Sequence, residues 1–208
     1  MNKICFIFIF LISFAVTAQQ KDKEQILKDS KSFITALEKK DYNHFLDLMY
    51  PTIFEYVNKE KFLELIKSVY EGNDEYSIEI IDAEKIKFTA SDVFTDVPET
   101  KYAFVSYPLS MKMIFLDQSF KDEEEKKMMK GLMELQGMKV EFINDNTIKI
   151  EMQSMTIAIN DKVTGNKWKY LNHEEDNPHR TMFVSATILK KAKDYYYDFI
   201  LNQKENGS

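Results

Sequence analysis

Apolar and polar residues alternate along Val140-Glu141-Phe142, break at Asn144-Asp145-Asn146, and resume as Ile148, Ile150 and Met152 between Lys149, Glu151 and Gln153. Period-two alternation on both sides of residues that tolerate positive φ predicts an antiparallel hairpin with one apolar face. After Gln153 the apolar positions move from even to odd numbers, as Met155, Ile157 and Ile159. A one-residue change of phase predicts a β-bulge, and a bulge in the middle of a long strand predicts a strongly curved sheet. A turn over residues 160–166 returns the chain through Lys167-Trp168-Lys169-Tyr170-Leu171, where Trp168 and Tyr170 share a face. Upstream, Ala103, Val105, Tyr107, Leu109, Met111, Met113 and Phe115 alternate over a long strand, and Pro108 within it must face an edge or a bend. Tyr76, Ile78 and Ile80, then Ile86 and Phe88, predict one or two shorter strands. Trp168 is expected to be buried near Val140, Phe142 and Ile150, so that Trp168→Ala costs ~3–5 kcal/mol.

Helical periodicity governs the rest. Asp22 with Gln25 reads as a capping box ahead of the stripe Ile26, Leu27, Phe33, Ile34 and Leu37. Asp41 caps a short second helix carrying Phe45, Leu48 and Met49, which Tyr50-Pro51 ends. Asn58 caps a third, with Phe62, Leu65, Ile66 and Val69 inward and Gly72 as its stop. Residues 120–136 predict a helix whose first turn is acidic, whose apolar face is Met128, Met129, Leu132, Met133 and Leu135, and which Gly137 ends. Residues 185–202 predict a C-terminal amphipathic helix through Ile188, Leu189, Ala192, Tyr195, Tyr196, Phe199 and Ile200, followed by a frayed tail over 203–208. The fold class is therefore α+β: N-terminal helices on a strongly curved antiparallel sheet, with an inserted helix and a C-terminal helix.

Composition changes this picture at the N-terminus. Lys3, the apolar run from Ile4 to Val16 and the small residues before Gln19 have the layout of a cleaved secretory signal over residues 1–18. The apolar run is shorter than the ~20 residues of a membrane span, so the exported form, periplasmic or secreted, has no membrane span. Cys5, the one cysteine, leaves with the signal, so no disulfide supports residues 19–202, which the length assigns to one domain. The mature chain keeps 27 basic and 34 acidic side chains, a formal charge of −7, which argues against a nucleic-acid partner. Arg180 is the sole arginine; the lysine, asparagine and isoleucine bias fits an AT-rich bacterial genome.

Helices followed by long strands, the Asp41-Tyr42 break, the Tyr50-Pro51 stop and the strand Gly165-Asn166-Lys167-Trp168-Lys169-Tyr170-Leu171 together resemble the nuclear-transport-factor-2-like superfamily, or cystatin-like cones. The resemblance covers residues 22–171 and implies helices packed on a bent sheet around a conical pocket. The helix over 120–136 and the C-terminal helix depart from the minimal form. Members include ketosteroid-isomerase-like and polyketide-cyclase-like enzymes, scaffold domains and exported proteins without assigned activity, so the resemblance implies a fold and not a reaction.

The chemistry is sparse. No glycine-rich phosphate loop or nucleophile elbow is present, and no cofactor is implied. Residues 173–180 gather His173, His179, three carboxylates and Arg180 without the spacing of any standard ligand motif, so His173 and His179 are weak metal candidates. Asp41, His44 and Tyr107, with Tyr102 and Tyr170, have the residue types of an isomerase that pairs a carboxylate base with a tyrosine donor. Simpler roles are an N-cap for Asp41, a surface position for His44 and sheet packing for the tyrosines. The apolar sheet positions Met111, Met113, Phe115, Met152, Met155 and Trp168 point instead to a small apolar or amphipathic ligand held without turnover. Two other readings stand beside this one: an isomerase- or cyclase-type enzyme, and a module that dimerises or engages an envelope partner.

Overall fold

The computed structural model describes residues 2–174 and 177–206, with side chains placed for 19–174, 177 and 179–201. Helices precede and follow a seven-stranded antiparallel sheet that does not close on itself, so the chain is α+β. No helix among the described residues is long and apolar enough to cross a membrane.

The first helix, α1 (Asn2–Glu38), is continuous, and this overturns the capping box. A residue inside a helix has no orphan amide to cap, so the Asp22 carboxylate is free to take Lys101 Nζ at 3.0 Å and Trp168 Nε1 at 3.4 Å. Gln25 donates to Asp29 Oδ1 at 2.8 Å. The apolar stripe lands inward, with Ile26, Phe33, Ile34 and Leu37 buried. In α2 (Tyr42–Leu48) the Asp41 carboxylate accepts the His44 amide at 3.1 Å, and Pro51 opens a 3-10 turn, Pro51–Glu55. In α3 (Lys59–Glu71) Asn58 accepts the Lys61 amide at 2.9 Å and Gly72 ends the helix at φ 106°. Phe62, Ile66 and Val69 are half-buried, but Leu65 faces solvent, so α3 lies on the core by a narrower stripe than its sequence suggests.

The sheet is built on two long strands, β4 (Thr100–Phe115) and β6 (Thr147–Asn160). On the outer edge of β4 lie β1 (Tyr76–Ile80), β2 (Thr89–Ala90) and β3 (Phe94–Val97); on that of β6 lie β5 (Lys139–Asn144) and β7 (Lys169–Asn172). Ile86 and Phe88 stay outside the sheet, because Ala83–Lys85 winds into a 3-10 turn and only Thr89–Ala90 pairs. Pro108 falls where β4 has passed β2 but not yet met β1, so its missing N–H faces a gap in the outer edge. The β5–β6 hairpin closes through an Asn146 N–H donated to Asn144 Oδ1 at 3.0 Å, without the positive φ expected of the turn residues.

The expected bulge in β6 is absent. β4 and β6 pair in one register from Lys101 opposite Asn160 to Ile114 opposite Thr147. Alternation along that ladder assigns Val105, Tyr107, Met111, Met113, Ile148, Ile150 and Ala158 to one face, and Tyr102, Phe104, Met155, Ile157 and Ile159 to the other. The change of phase at Gln153 marks the point where the second face becomes buried. Beyond it all of Tyr102–Tyr107 and Met155–Ile159 is buried, because helices cover both sides. The first face meets α1, where Tyr170 packs on Phe33 at 5.8 Å and donates to the Ile26 carbonyl. The second meets α5 (Ala186–Asn206), where Tyr195 lies 5.3 Å from Phe104 and Lys191 reaches Asp96 at 2.8 Å. Helix α5 extends to Asn206, past the expected onset of fraying at Gln203; residues 207 and 208 lie outside the described chain.

At the opposite end only the first face is covered. Val140, Ile148 and Ile150 form a small separate core with Met111, Met113, Phe115 and Phe142, over which α4 (Glu123–Glu134) lays Met133. Met129 and Met133 are the half-buried members of the expected α4 face, while Met128, Leu132 and Leu135 are exposed. The reverse face here is polar, with Lys149 paired to Glu151 at 2.5 Å.

Candidate functional site

The long core is not perfectly closed at the β7 edge. Met49 bridges to Tyr170, and Tyr50 N–H donates to the Tyr170 carbonyl at 2.9 Å, so the end of α2 is tied to β7 as an extra edge segment. Past β7 the chain turns back through a 3-10 segment, Pro178–Met182, held by Asn177 accepting the His179 amide at 3.1 Å. Between this segment, β7 and helices α1 to α3 a cavity of about 300 Å3 remains. Its wall is apolar: Phe33 and Phe45, stacked at 4.5 Å, with Met49, Ile53, Phe62 and Ile66. At its polar rim stand Asn172, Glu174, Asn177 and Arg180.

Arg180 is the unusual member. Its side chain belongs to a residue only 4 % exposed, and one guanidinium nitrogen, Nη2, meets Glu174 Oε1 at 3.5 Å. Nε and Nη1 have no hydrogen-bond partner among the described residues. Burial pulls the guanidinium pKa down and Glu174 pushes it back up, and an arginine so placed keeps its charge. A buried cation with donors left over strongly favours an anionic or carbonyl oxygen placed against it.

The six sheet residues expected to form a ligand wall do not meet in one pocket among the described residues. Met111, Met113 and Phe115 pack into the small core under α4, and Met152 is half-buried on the same face. Met155 faces the other way and is 1 % exposed, beneath α5. Trp168 is buried as expected, but next to α1 and not beside Val140, Phe142 and Ile150, which belong to the separate small core. It lines a polar recess of about 500 Å3 with Asp22, Lys101, Lys167 and Lys169.

The acid–base candidates are also apart. Asp41 serves as the N-cap, and His44 Nε2 lies 2.7 Å from Ser32 Oγ on the outer surface of α1 and α2. Tyr107 is in the core against Phe88 at 4.9 Å, and burial pushes its pKa up to about 12. Tyr102 donates to Asp96 at 2.6 Å and Tyr170 to Ile26, and burial raises both phenols further. His173 packs 5.2 Å from Tyr196, and His179 is exposed. Glu175 and Asp176, the other acids of that metal candidate, lie outside the described residues, among which no three potential ligands cluster.

Sequence reasoning found Phe33, Phe45 and Phe62 only as core positions, and Arg180 only as part of the metal candidate. The signal that would have singled it out is its setting, a lone arginine followed by Met182, Phe183 and Val184. Neither a protein-family model nor a curated protein matches this chain.

Proposed function

We propose that this is an exported, non-catalytic protein that holds a small amphipathic molecule in the cavity beside β7. The observation that carries the reading is the pairing of an apolar wall with a single buried cation at its rim. At ~25 cal/mol per Å2 of apolar surface removed from water, a ligand filling about 300 Å3 reaches micromolar affinity with few polar contacts. That volume is at the low end for small-molecule pockets, which favours a short chain or single ring over a long lipid. Binding is preferred to turnover because a base must lie within hydrogen-bond reach of the proton it takes, and Asp41 and His44 stand on the far surface of the helices from Tyr107. A cone like that of the nuclear-transport-factor-2-like proteins is compatible with α1 over the first face of a long antiparallel ribbon, α5 on the second face being the departure already noted from the minimal form, and that kinship remains part of the proposal.

The test is to fill the cavity. Ile66→Trp, on the half-buried face of α3, is expected to keep the fold and abolish the thermal shift that octanol and octanoate give the native protein. Retention of both shifts by that variant would move the ligand elsewhere. Export is tested separately: N-terminal sequencing of material secreted by a bacterial host is expected to begin at Gln19.

A further inference from the structure

We infer that the ligand of the β7 cavity is an anionic amphiphile, a monocarboxylate of short or medium chain, whose head group binds Arg180. The inference rests on the binding reading above and adds the chemical class. Three observations converge on it. Arg180 is the one cation among the described residues of the cavity wall, and its residue is more than nine-tenths buried. Its Nε and Nη1 are without acceptors among the described residues, and each forms a planar fork for a carboxylate with Nη2, the one nitrogen that Glu174 approaches. Its one partner, Glu174, has a side chain 59 % exposed and reaches Nη2 at 3.5 Å, too long for a strong charge-assisted bond. Glu174 thus neutralises the buried charge only in part and leaves the donors unused. Elsewhere on the same wall, Phe33, Phe45, Met49 and Phe62 offer no polar side-chain atom beyond the Met49 thioether, so the tail of the ligand must be apolar.

The other cavities do not offer this combination. The recess around Trp168 is lined by the exposed Lys21, Lys101 and Lys167 and the half-buried Lys169, with Asp22 already holding Lys101. Met128 and Leu132 of α4, with Leu135 at its end, form an exposed apolar strip whose neighbouring lysines, Lys126 and Lys130, are already paired with Glu123, Asp145 and Glu134.

Titration calorimetry with octanoate and octanol separates the inference from the reading on which it rests. Octanoate is expected to bind the native protein roughly ten- to a hundredfold more tightly than octanol, the effect of a charge-assisted pair. Arg180→Met is expected to abolish that preference while octanol still binds. Since removing a buried arginine risks the fold, Glu174→Gln gives a second readout at an exposed side chain. Freed of its competing carboxylate, Arg180 should bind octanoate several-fold more tightly, with octanol unchanged. Equal affinities for octanoate and octanol in the native protein would overturn the anionic class alone. Unchanged or weaker octanoate binding in Glu174→Gln would overturn Arg180 as the head-group site. If neither molecule binds, the binding reading and this inference fall together.

Discussion

The two ends of the β4–β6 ribbon are made of the same strands in the same register, yet they are stabilised differently. At the β7 end helices lie on both faces and every residue of Tyr102–Tyr107 is buried; at the β5 end one face is open and the small core is anchored by Val140, Ile148 and Ile150, with Phe120 edge-on against Phe115 and Phe142. The α4 helix that covers this end has no fully buried residue, whereas α5 at the other buries Ile188 and Ala192. Burial on two faces roughly doubles the apolar area that each strand residue removes from water, so the β7 end should hold most of the folding free energy. The cavity with Arg180 lies at this firm end, where its walls are held by elements far apart in sequence.

The largest effect should come from truncating the two-sided core. Phe104→Ala, which strips the contact with Tyr195, and Trp168→Ala are each expected to cost about 3–5 kcal/mol in urea unfolding. A loss near 1 kcal/mol for Phe104→Ala would mean that α5 contributes little to the packing on that face. At the other end Ile148→Ala should cost about 2 kcal/mol, because half-buried neighbours can collapse into the space it leaves. If it equals Phe104→Ala, the contrast between the ends disappears.

Smaller still is the effect of Lys130→Pro in the middle of α4. A proline there breaks the helix locally, but the global midpoint should fall by no more than about 1 kcal/mol, since little surface is tied to it. Hydrogen exchange should show fast amides in α4 and unchanged protection in β4 and β6. Protection lost throughout would make α4 an integral part of the fold.

The smallest effect is electrostatic and distinguishes how α5 is held. Lys191 and Tyr102 both bond to Asp96 and keep its carboxyl below the usual carboxylate pKa. A carboxyl so lowered stabilises the fold fully above its unfolded value and ceases to do so as pH falls through the folded one. Acidification below the ordinary carboxylate range should therefore loosen α5, and Asp96→Asn should remove that part of the pH dependence. The pair is exposed, so identical acid profiles for the two proteins would leave α5 held by apolar packing alone.

What the sequence made legible was local. The caps at Asp41 and Asn58, the stop at Gly72, the β5–β6 hairpin and the run of β4 all depend on neighbours within a few residues, and all are present. The change of phase at Gln153 was visible too, but periodicity cannot tell a slipped strand from an unslipped one whose reverse face acquires a helix 30 or more residues later. For the same reason the ligand wall was placed on the strand methionines. Met155 and Met111 lie in the same two paired strands, and only the register shows that they point to opposite faces. The cavity was beyond reach because Phe33, Phe62 and Arg180 come from α1, α3 and the 3-10 turn after β7.

Pro108 has a consequence outside both the core and the cavity. It stands where β4 has no outer neighbour, and even-numbered residues of β4 turn their backbone groups to that side, as Phe104 does in donating its amide to Ser91 and Ser110 does in accepting the Ile81 amide. An intruding strand from another molecule would need a reciprocal pair of bonds at this break. Pro108 offers it an acceptor and withholds the donor, so the break in the edge is guarded against intermolecular sheet growth.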